Sequence, residues 1–429
     1  MATTLVTGHG WPPMADHRTL RFGMIFLLYI AQGVPIGLFF YAMPAWLSVN
    51  GAGAGAIAFV ATMSSLPWTL KFFNGFLMDR FAFLAMGRRR AWLMGAQLMI
   101  ILGLVAFALA SPRPDQALLI GAFSFIVMTA TTFQDVAIDG MAVDIVPDEE
   151  RARANAFMFG GQAVGMAAGA AITGHAIAAW GPTSAFLLVA SLVALIFMLI
   201  VFIREREGER LLPWTDGCAS ACNLSIQAQA WGPVFRSTFR SLARRDSMLF
   251  GVALVLCGTT YGIYPALSSM MAADLHGWGE ARIGNFQGIG NLVAAGIAIL
   301  FGGVLADRLG PKRFGVGVLA TTAAMAIAMI ALQSRWADPG VLISFMIGWV
   351  VFDVLKSVAL LPIAMRLCDR TVGATQFAIY MALSNLGITL GSAMLPTLSA
   401  LGGHVALFAF VALSFSLSIV FLLTARVGR

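Results

Sequence analysis

Apolar runs long enough to cross a lipid bilayer recur along the whole chain, from about residue 22 to residue 424. A helix needs roughly 18 to 20 such residues to span the hydrocarbon core. In lipid every backbone N–H and C=O must find a partner inside the protein, so repeated runs of this kind fold as helices. Composition leaves no soluble alternative: 59% of the 429 residues are hydrophobic and 11% are charged, whereas a soluble domain carries about a quarter charged residues. The expectation is an all-α polytopic membrane protein. The first run, 22–47, is too long for the apolar core of a signal peptide and no small-residue cleavage site closes it, so it is read as a retained span.

Twelve transmembrane helices are expected, at 22–47, 56–79, 91–110, 117–143, 153–178, 183–203, 248–273, 282–306, 314–333, 340–366, 374–400 and 404–424. They fall six on each side of one polar stretch, giving an N-terminal six-helix bundle (1–203), a linker (204–246) and a C-terminal six-helix bundle (247–429). With the N-terminus inside, the cytoplasmic loops hold Arg80, Arg88, Arg89, Arg90, Arg151, Arg153, the Arg-rich linker, Arg308, Lys312, Arg313, Arg366 and Arg370. The opposite side holds Arg113, Arg282 and Arg335. The positive-inside rule then places both termini in the cytoplasm of a cell whose inner membrane carries the protein.

The linker is not read as a domain. In WGPVFRSTFRSLARRD (231–246), Phe235, Phe239 and Leu242 share a helical face beside Arg236, Arg240 and Arg244. That is the pattern of an interfacial helix on the inner leaflet, with a protein-docking helix as the alternative. The net charge of +7 sits in short loops beside spans, so no nucleic-acid partner is expected. Cys218, Cys222, Cys257 and Cys368 have no metal-site spacing and are read as free thiols. No metal and no cofactor are expected.

The two halves repeat each other. Span 2 ends GFLMDR (75–80) and span 8 ends GVLADR (303–308); basic residues follow both, GRRR (87–90) and PKR (311–313). Span 5 carries Gly161, Gly165 and Gly169, and span 11 carries Gly387 and Gly391. Marks at the second and fifth helix of each half indicate parallel duplication of a six-helix unit around a central cavity. Glycines four apart let helices approach closely. The Asp79–Arg80 and Asp307–Arg308 pairs, at the same end of their helices, can lock the two bundles.

GVLADRLGPKR (303–313) resembles the loop signature of the major facilitator superfamily. The N-terminal copy departs from it, with seven residues, FAFLAMG (81–87), between Asp-Arg and the Arg run. LMDRFAFLAMGRRRAW (77–92), QDVAIDGMAVDIVPDEERARANA (134–156) and GATQFAIYMALSNLG (373–387) together resemble the muropeptide permease branch of that superfamily, which also includes siderophore permeases and acetyl-coenzyme A transporters. The likeness runs over about residues 22–425. The resemblance implies two pseudo-symmetric six-helix bundles that rock about a central site, with a peptidoglycan fragment as solute. Muropeptide permeases usually carry extra C-terminal spans, whereas this chain stops soon after span 12, which keeps a siderophore open as the alternative solute.

The chemistry concentrates in charges within spans. FQDVAIDGMAVDIVPDEERAR (133–153) puts Asp135, Asp139 and Asp144 at the end of an oily span 4. A carboxylate in hydrocarbon costs several kcal/mol unless it is paired, protonated or wet. Asp135 lies roughly 27 Å along the span. Asp139 lies one turn further on, near the interface. Asp144, Asp148, Glu149 and Glu150 read as a hydrated helix end; Asp144 is counted with the cytoplasmic gate, where Glu149 or Glu150 with Arg151 and Arg153 can form gate pairs. Asp135 needs a partner, and Lys71 in span 2 is at a similar depth. Asp353 and Lys356 in span 10 are spaced to meet on one helix. Static ion pairs that fix bundle packing are one reading. Proton coupling in a wet cavity, with Asp135 first and Asp353 second as the proton site, is the other.

Gln32, Tyr41, Asn74, Gln134, Gln162, Tyr261, Tyr264, Asn291, Gln376 and Asn385 are the candidate solute contacts, each also able to act as helix–helix glue. Pro35 and Pro265 are expected to kink spans 1 and 7. There is no His-Glu-x-x-His, no GxGxxG opening a helix after a strand and no Walker A, which argues against an enzyme and against ATP-driven transport. The chain is read as a monomeric proton-coupled permease in contact with lipid, solute and proton. A membrane assembly factor that kept a transporter shell is the reading from another class.

Overall fold

The computed structural model describes residues 12–147, 150–225, 240, 242–367 and 373–426. Among these there is no strand. Ten helices are long and apolar enough to cross a membrane. One of them, Gly373–Thr424, leaves helical geometry at Gly402 and at Gly403, whose φ of +58° suits glycine, and so divides into α11 (373–401) and α12 (404–424). The span α2 comes in two pieces, Ala54–Leu70 and Phe72–Arg80. The others are α1 (Arg18–Val49), α3 (Arg90–Ala110), α4 (Ala117–Ile145), α5 (Arg151–Trp180), α6 (Pro182–Phe202), α7 (Arg245–His276), α8 (Glu280–Gly302, continued by Gly303–Leu309), α9 (Pro311–Ala331) and α10 (Pro339–Leu367). The loops after α1 and α7 meet on one face, the distal face, where Asn50 reaches Glu280; the start of α1 and the end of α12, which lies beside the start of α7 through Arg426 N and Asp246 Oδ1, are on the other, the terminal face.

The prolines act differently from one another. Pro35 in α1 is followed by a π-helical turn, Leu38–Ala42, whereas α7 runs through Pro265 without a break. Pro67 lies one turn before the interruption of α2 at Lys71, and its missing N–H takes the helical donor from Met63 O. At the break itself a donor comes from the other half: Asn385 Nδ2 of α11 donates to Trp68 O at 3.0 Å.

Glycine seams build each half. A Cβ at Gly33 or Gly37 of α1 would lie 2.4 Å from Gln162 O or Met166 O of α5. In return, Gly165 and Gly169 would meet Ile30 O at 2.5 Å and Val34 O at 2.3 Å. The same clasp joins α7 to α11: a Cβ at Gly258, Gly262, Gly387 or Gly391 would collide with Ser384 O, Ile388 O, Val255 O or Thr259 O. These neighbours are backbone and cannot swing away, so any larger side chain forces the helices apart.

The halves meet through α5 with α8, α2 with α11 and α1 with α7. Toward the distal face, Gly284 of α8 sits on Ala170 O and Gly174 of α5 on Glu280 O. Tyr41 and Tyr261 share a hydrogen bond of 3.1 Å, and Asn50 Nδ2 reaches Glu280 Oε1 at 3.5 Å. Nearer the middle, Thr69 and Thr389 hydroxyls lie 3.0 Å apart.

The start of the linker folds back onto the N-terminal half. Glu205, Glu209 and Asn223 are buried, and Arg90 is fully buried, donating to Ile200 O, Val201 O, Arg210 O and Leu211 O. Arg206 Nη1 joins Glu205 Oε1 at 3.0 Å and Asn223 Oδ1 at 2.7 Å. Glu209 accepts from Arg206 N at 2.9 Å and Asn223 Nδ2 at 2.8 Å. Burial and the neighbouring Glu205 carboxylate push the Glu209 carboxyl up to about 7, and burial pushes Glu205 up as well. The charges of this stretch satisfy one another in a packed cap. Of the expected interfacial helix, residues 231–239 and 241 lie outside the described ones.

Candidate functional site

The site grows from the interruption in α2. Lys71 stands at the break between the two pieces, where its side chain leaves toward α4. Its Nζ lies 2.9 Å from Asp135 Oδ2, and Gln32 Nε2 of α1 donates to Asp135 Oδ1 at 2.6 Å. Three helices thus converge on one carboxylate that is 4% exposed. A buried charge of this kind is tolerable because an opposite charge and a second donor replace water. Lys71 also lies over the Trp68 ring, 5.5 Å from its centroid.

One turn on along α4, Tyr29 OH donates to Asp139 Oδ1. The sequence put Asp139 near the interface and gave Tyr29 no role. Asp139 is in fact half-buried and Tyr29 buried. Two signals could have found them: Tyr29 precedes Gln32 by three residues and Asp139 follows Asp135 by four, so each shares its neighbour's helix face.

The C-terminal half holds its charges differently. Lys356 Nζ pairs with Asp353 Oδ1 along the single helix α10, and Lys356 is buried. Between the two charged clusters, Tyr41 and Tyr261 touch across the halves.

Several candidate solute contacts spend their polar atoms on other helices or on their own. Asn74 Nδ2 donates to Thr132 Oγ1 at 3.0 Å, Gln134 Nε2 to Leu28 O at 2.9 Å, and Asn291 Nδ2 to Gln287 O at 2.9 Å. Tyr264 OH donates to Met346 O at 2.9 Å, with its ring stacked on Trp349. Gln376 Nε2 lies on Leu367 O at 3.1 Å, and Asn385 bonds Trp68 O as described. Gln162 is half-buried on α5 beside Gly33.

The gate residues also sort differently from expectation. Asp144 is not a hydrated end: its side chain is 13% exposed and lies 3.7 Å from Arg89 Nε and 4.0 Å from Arg88 Nη1. Arg206 Nη2 donates to its carbonyl at 2.7 Å. Glu150 pairs with Arg18 at 2.8 Å and Arg21 at 2.6 Å, at the start of α1. Each of these pairs stays within the N-terminal half, because the long 2–3 loop and the linker cap fold back on it. Arg308 is exposed. Glu149 and the side chains of Asp79, Arg80, Arg151 and Asp307 lie outside the described residues.

The anhydromuropeptide permease of Escherichia coli (strain K12) is 24% identical over 377 residues, covering 86% of this chain and 72% of that protein. An uncharacterized membrane protein of Saccharomyces cerevisiae is 26% identical over 160 residues, 32% of this chain and 28% of its own length. Among solved structures, the nucleoside transporter NupG (D323A mutant) superposes with a TM-score of 0.70 at 11% identity, covering 94% of this chain and 98% of that one. A POT family transporter in complex with a thioalcohol-conjugated peptide superposes with a TM-score of 0.65 at 14% identity, covering 96% and 97%. The family model described as Major Facilitator Superfamily matches residues 25–392, and the chain belongs to that superfamily, as a multi-pass membrane transporter rather than an enzyme.

Proposed function

We propose that this transporter is a proton-coupled permease that imports a polar solute, an anhydromuropeptide, across the inner membrane by alternating access. The observation that carries the proposal is the Lys71–Asp135–Gln32 cluster at the break in α2, in which Asp135 and Gln32 are buried and Lys71 is half-buried. Intramembrane ionisable groups at an interrupted helix mark ion or solute pathways. In this reading Asp135 is the proton-coupling carboxylate and Lys71 its counter-ion when the proton has left; Asp353 and Lys356 form the second charged wall of the site. The solute class comes from the similarity to the Escherichia coli permease. In this reading the basic loops of the terminal face lie in the cytoplasm. Distal contacts between the halves, together with terminal-face ion pairs that stay within one half, fit a state facing the cytoplasm. A potential of about 100 mV is worth roughly 2.3 kcal/mol per charge, so one proton supports accumulation on the order of fifty-fold.

Uptake of labelled anhydromuropeptide and of ferric siderophore into proteoliposomes under an imposed pH gradient tests this. Uphill uptake of the first alone is expected. Uptake of the siderophore alone would reassign the solute. Uptake of neither, with no loss of a membrane phenotype on Asp135→Asn, would favour an assembly role.

A further inference from the structure

We infer that Asp139, held by Tyr29, is a second proton-binding carboxylate that receives the proton from Asp135 and delivers it to the terminal face. The inference rests on the coupling proposed at Asp135 and adds the exit step. Both oxygens of Asp135 are engaged by donors, Lys71 Nζ on Oδ2 at 2.9 Å and Gln32 Nε2 on Oδ1 at 2.6 Å. An ammonium offers donors only, so a protonated Asp135 finds no acceptor in this arrangement. The proton has to leave as the Lys71 pair closes. Gln32 Oε1 is buried without a hydrogen-bond partner, and it becomes the acceptor a protonated Asp135 needs when the amide turns over.

Asp139 is suited to take what Asp135 gives up. It lies one turn, about 6 Å, further toward the terminal face. It is half-buried where Asp135 is buried. Its partner is a neutral phenol that donates to a carboxylate and can turn to accept from a carboxylic acid. The charged and titratable groups around it are Tyr29 on α1, Lys71 on α2 and Asp135 on α4 itself. Arg89 of the 2–3 loop lies against Gly140 and bears Asp144 on its other side. The transfer balances. The O–H bond of Asp135 breaks, an O–H bond forms on Asp139, and the new Asp135 carboxylate closes on Lys71. The Asp139 O–H then breaks to water at the terminal face, restoring the carboxylate that Tyr29 holds.

Reconstituted full-length protein tests this in two ways. The first compares pH-driven accumulation of labelled anhydromuropeptide with equilibrium exchange of labelled for unlabelled solute, which needs no net proton movement. Asp139→Asn is expected to lose accumulation and keep exchange, and Asp139→Glu to regain accumulation. Loss of exchange as well would make Asp139 a structural residue, and retained accumulation would remove it from the pathway; either overturns the inference. Failure of wild type to accumulate solute strikes the coupling proposal instead. The second way needs no solute. Infrared difference spectra between acid and alkaline pH should show a titrating carboxyl band that persists in Asp135→Asn, disappears in Asp139→Asn and moves along the pH axis in Tyr29→Phe. A band unchanged by Asp139→Asn and Tyr29→Phe would refute the assignment.

Discussion

The two halves share their glycine clasps and differ in how they hold charge. In the N-terminal half, the Lys71–Asp135 pair bridges α2 and α4, with Gln32 reaching in from α1. In the C-terminal half, Asp353 and Lys356 are three residues apart on α10 alone. A pair between helices changes when those helices shift, whereas a pair within one turn travels with its helix as a rigid unit. The frames match, and of these two pairs the Lys71–Asp135 pair is the one that helix movement can open. In the proposed mechanism that difference places coupling in the N-terminal half and leaves the α10 pair as a fixed electrostatic wall.

Neutralising both members of each pair breaks this comparison most strongly. Removing one partner alone would leave a buried charge at a cost of about 3–5 kcal/mol, so double variants are the cleaner probes. Lys71→Gln with Asp135→Asn should bring the accumulation ratio from the order of fifty-fold per 100 mV down to about 1. Asp353→Asn with Lys356→Gln should keep uphill accumulation. Equal loss in both would erase the asymmetry. The clasps should behave alike: Gly165→Val and Gly387→Val each put atoms into backbone and should cost about 1–3 kcal/mol or more, seen as lost monodisperse protein on size-exclusion chromatography. A defect in one half alone would show that the frames are not equivalent.

The cap on the N-terminal half gives a pH-dependent signature. The Glu209 carboxyl is raised to about 7 in the folded protein, so the fold favours its protonated form. That contribution is full below the unfolded value near 4.5 and is lost as pH rises toward 7. Glu209→Gln escapes the loss. Its stability relative to wild type should therefore climb between pH 5 and 8, by at most about 3 kcal/mol. Thermal unfolding in detergent across that range checks it, and a pH-independent difference would contradict it. The smallest effect is expected at the distal seam. Tyr41→Phe removes one hydrogen bond between the halves, worth about 1 kcal/mol, or roughly five-fold in the population facing the distal side. Labelling of single cysteines placed on that side reads it.

Much of the frame was legible in the residues. Apolar run length gave the spans, and Gly402–Gly403 falls where the eleventh and twelfth were divided. Gly165, Gly169, Gly387 and Gly391 marked the seams, because four-residue glycine spacing has few other uses in lipid. Their partners Gly33, Gly37, Gly258 and Gly262 are less legible, because the spacing on one helix does not say which residues of another helix it meets. The cap was illegible for a different reason. Arg90 counts as a loop charge in any topology rule, yet it is fully buried. Glu205, Arg206 and Glu209 look solvated until they are seen to satisfy each other. Asp139 was placed by depth alone, and depth says nothing of a Tyr29 on a neighbouring helix.

Simultaneous recording of solute and proton entry most directly tests the central claim that opening and closing of the Lys71–Asp135 pair couples the two. Proteoliposomes with a trapped pH dye would receive labelled anhydromuropeptide with no gradient imposed. Wild type should acidify the lumen as label enters, and Lys71→Gln with Asp135→Asn should exchange label while moving no protons. Acidification by that double variant at the wild-type ratio of proton to solute would contradict the account.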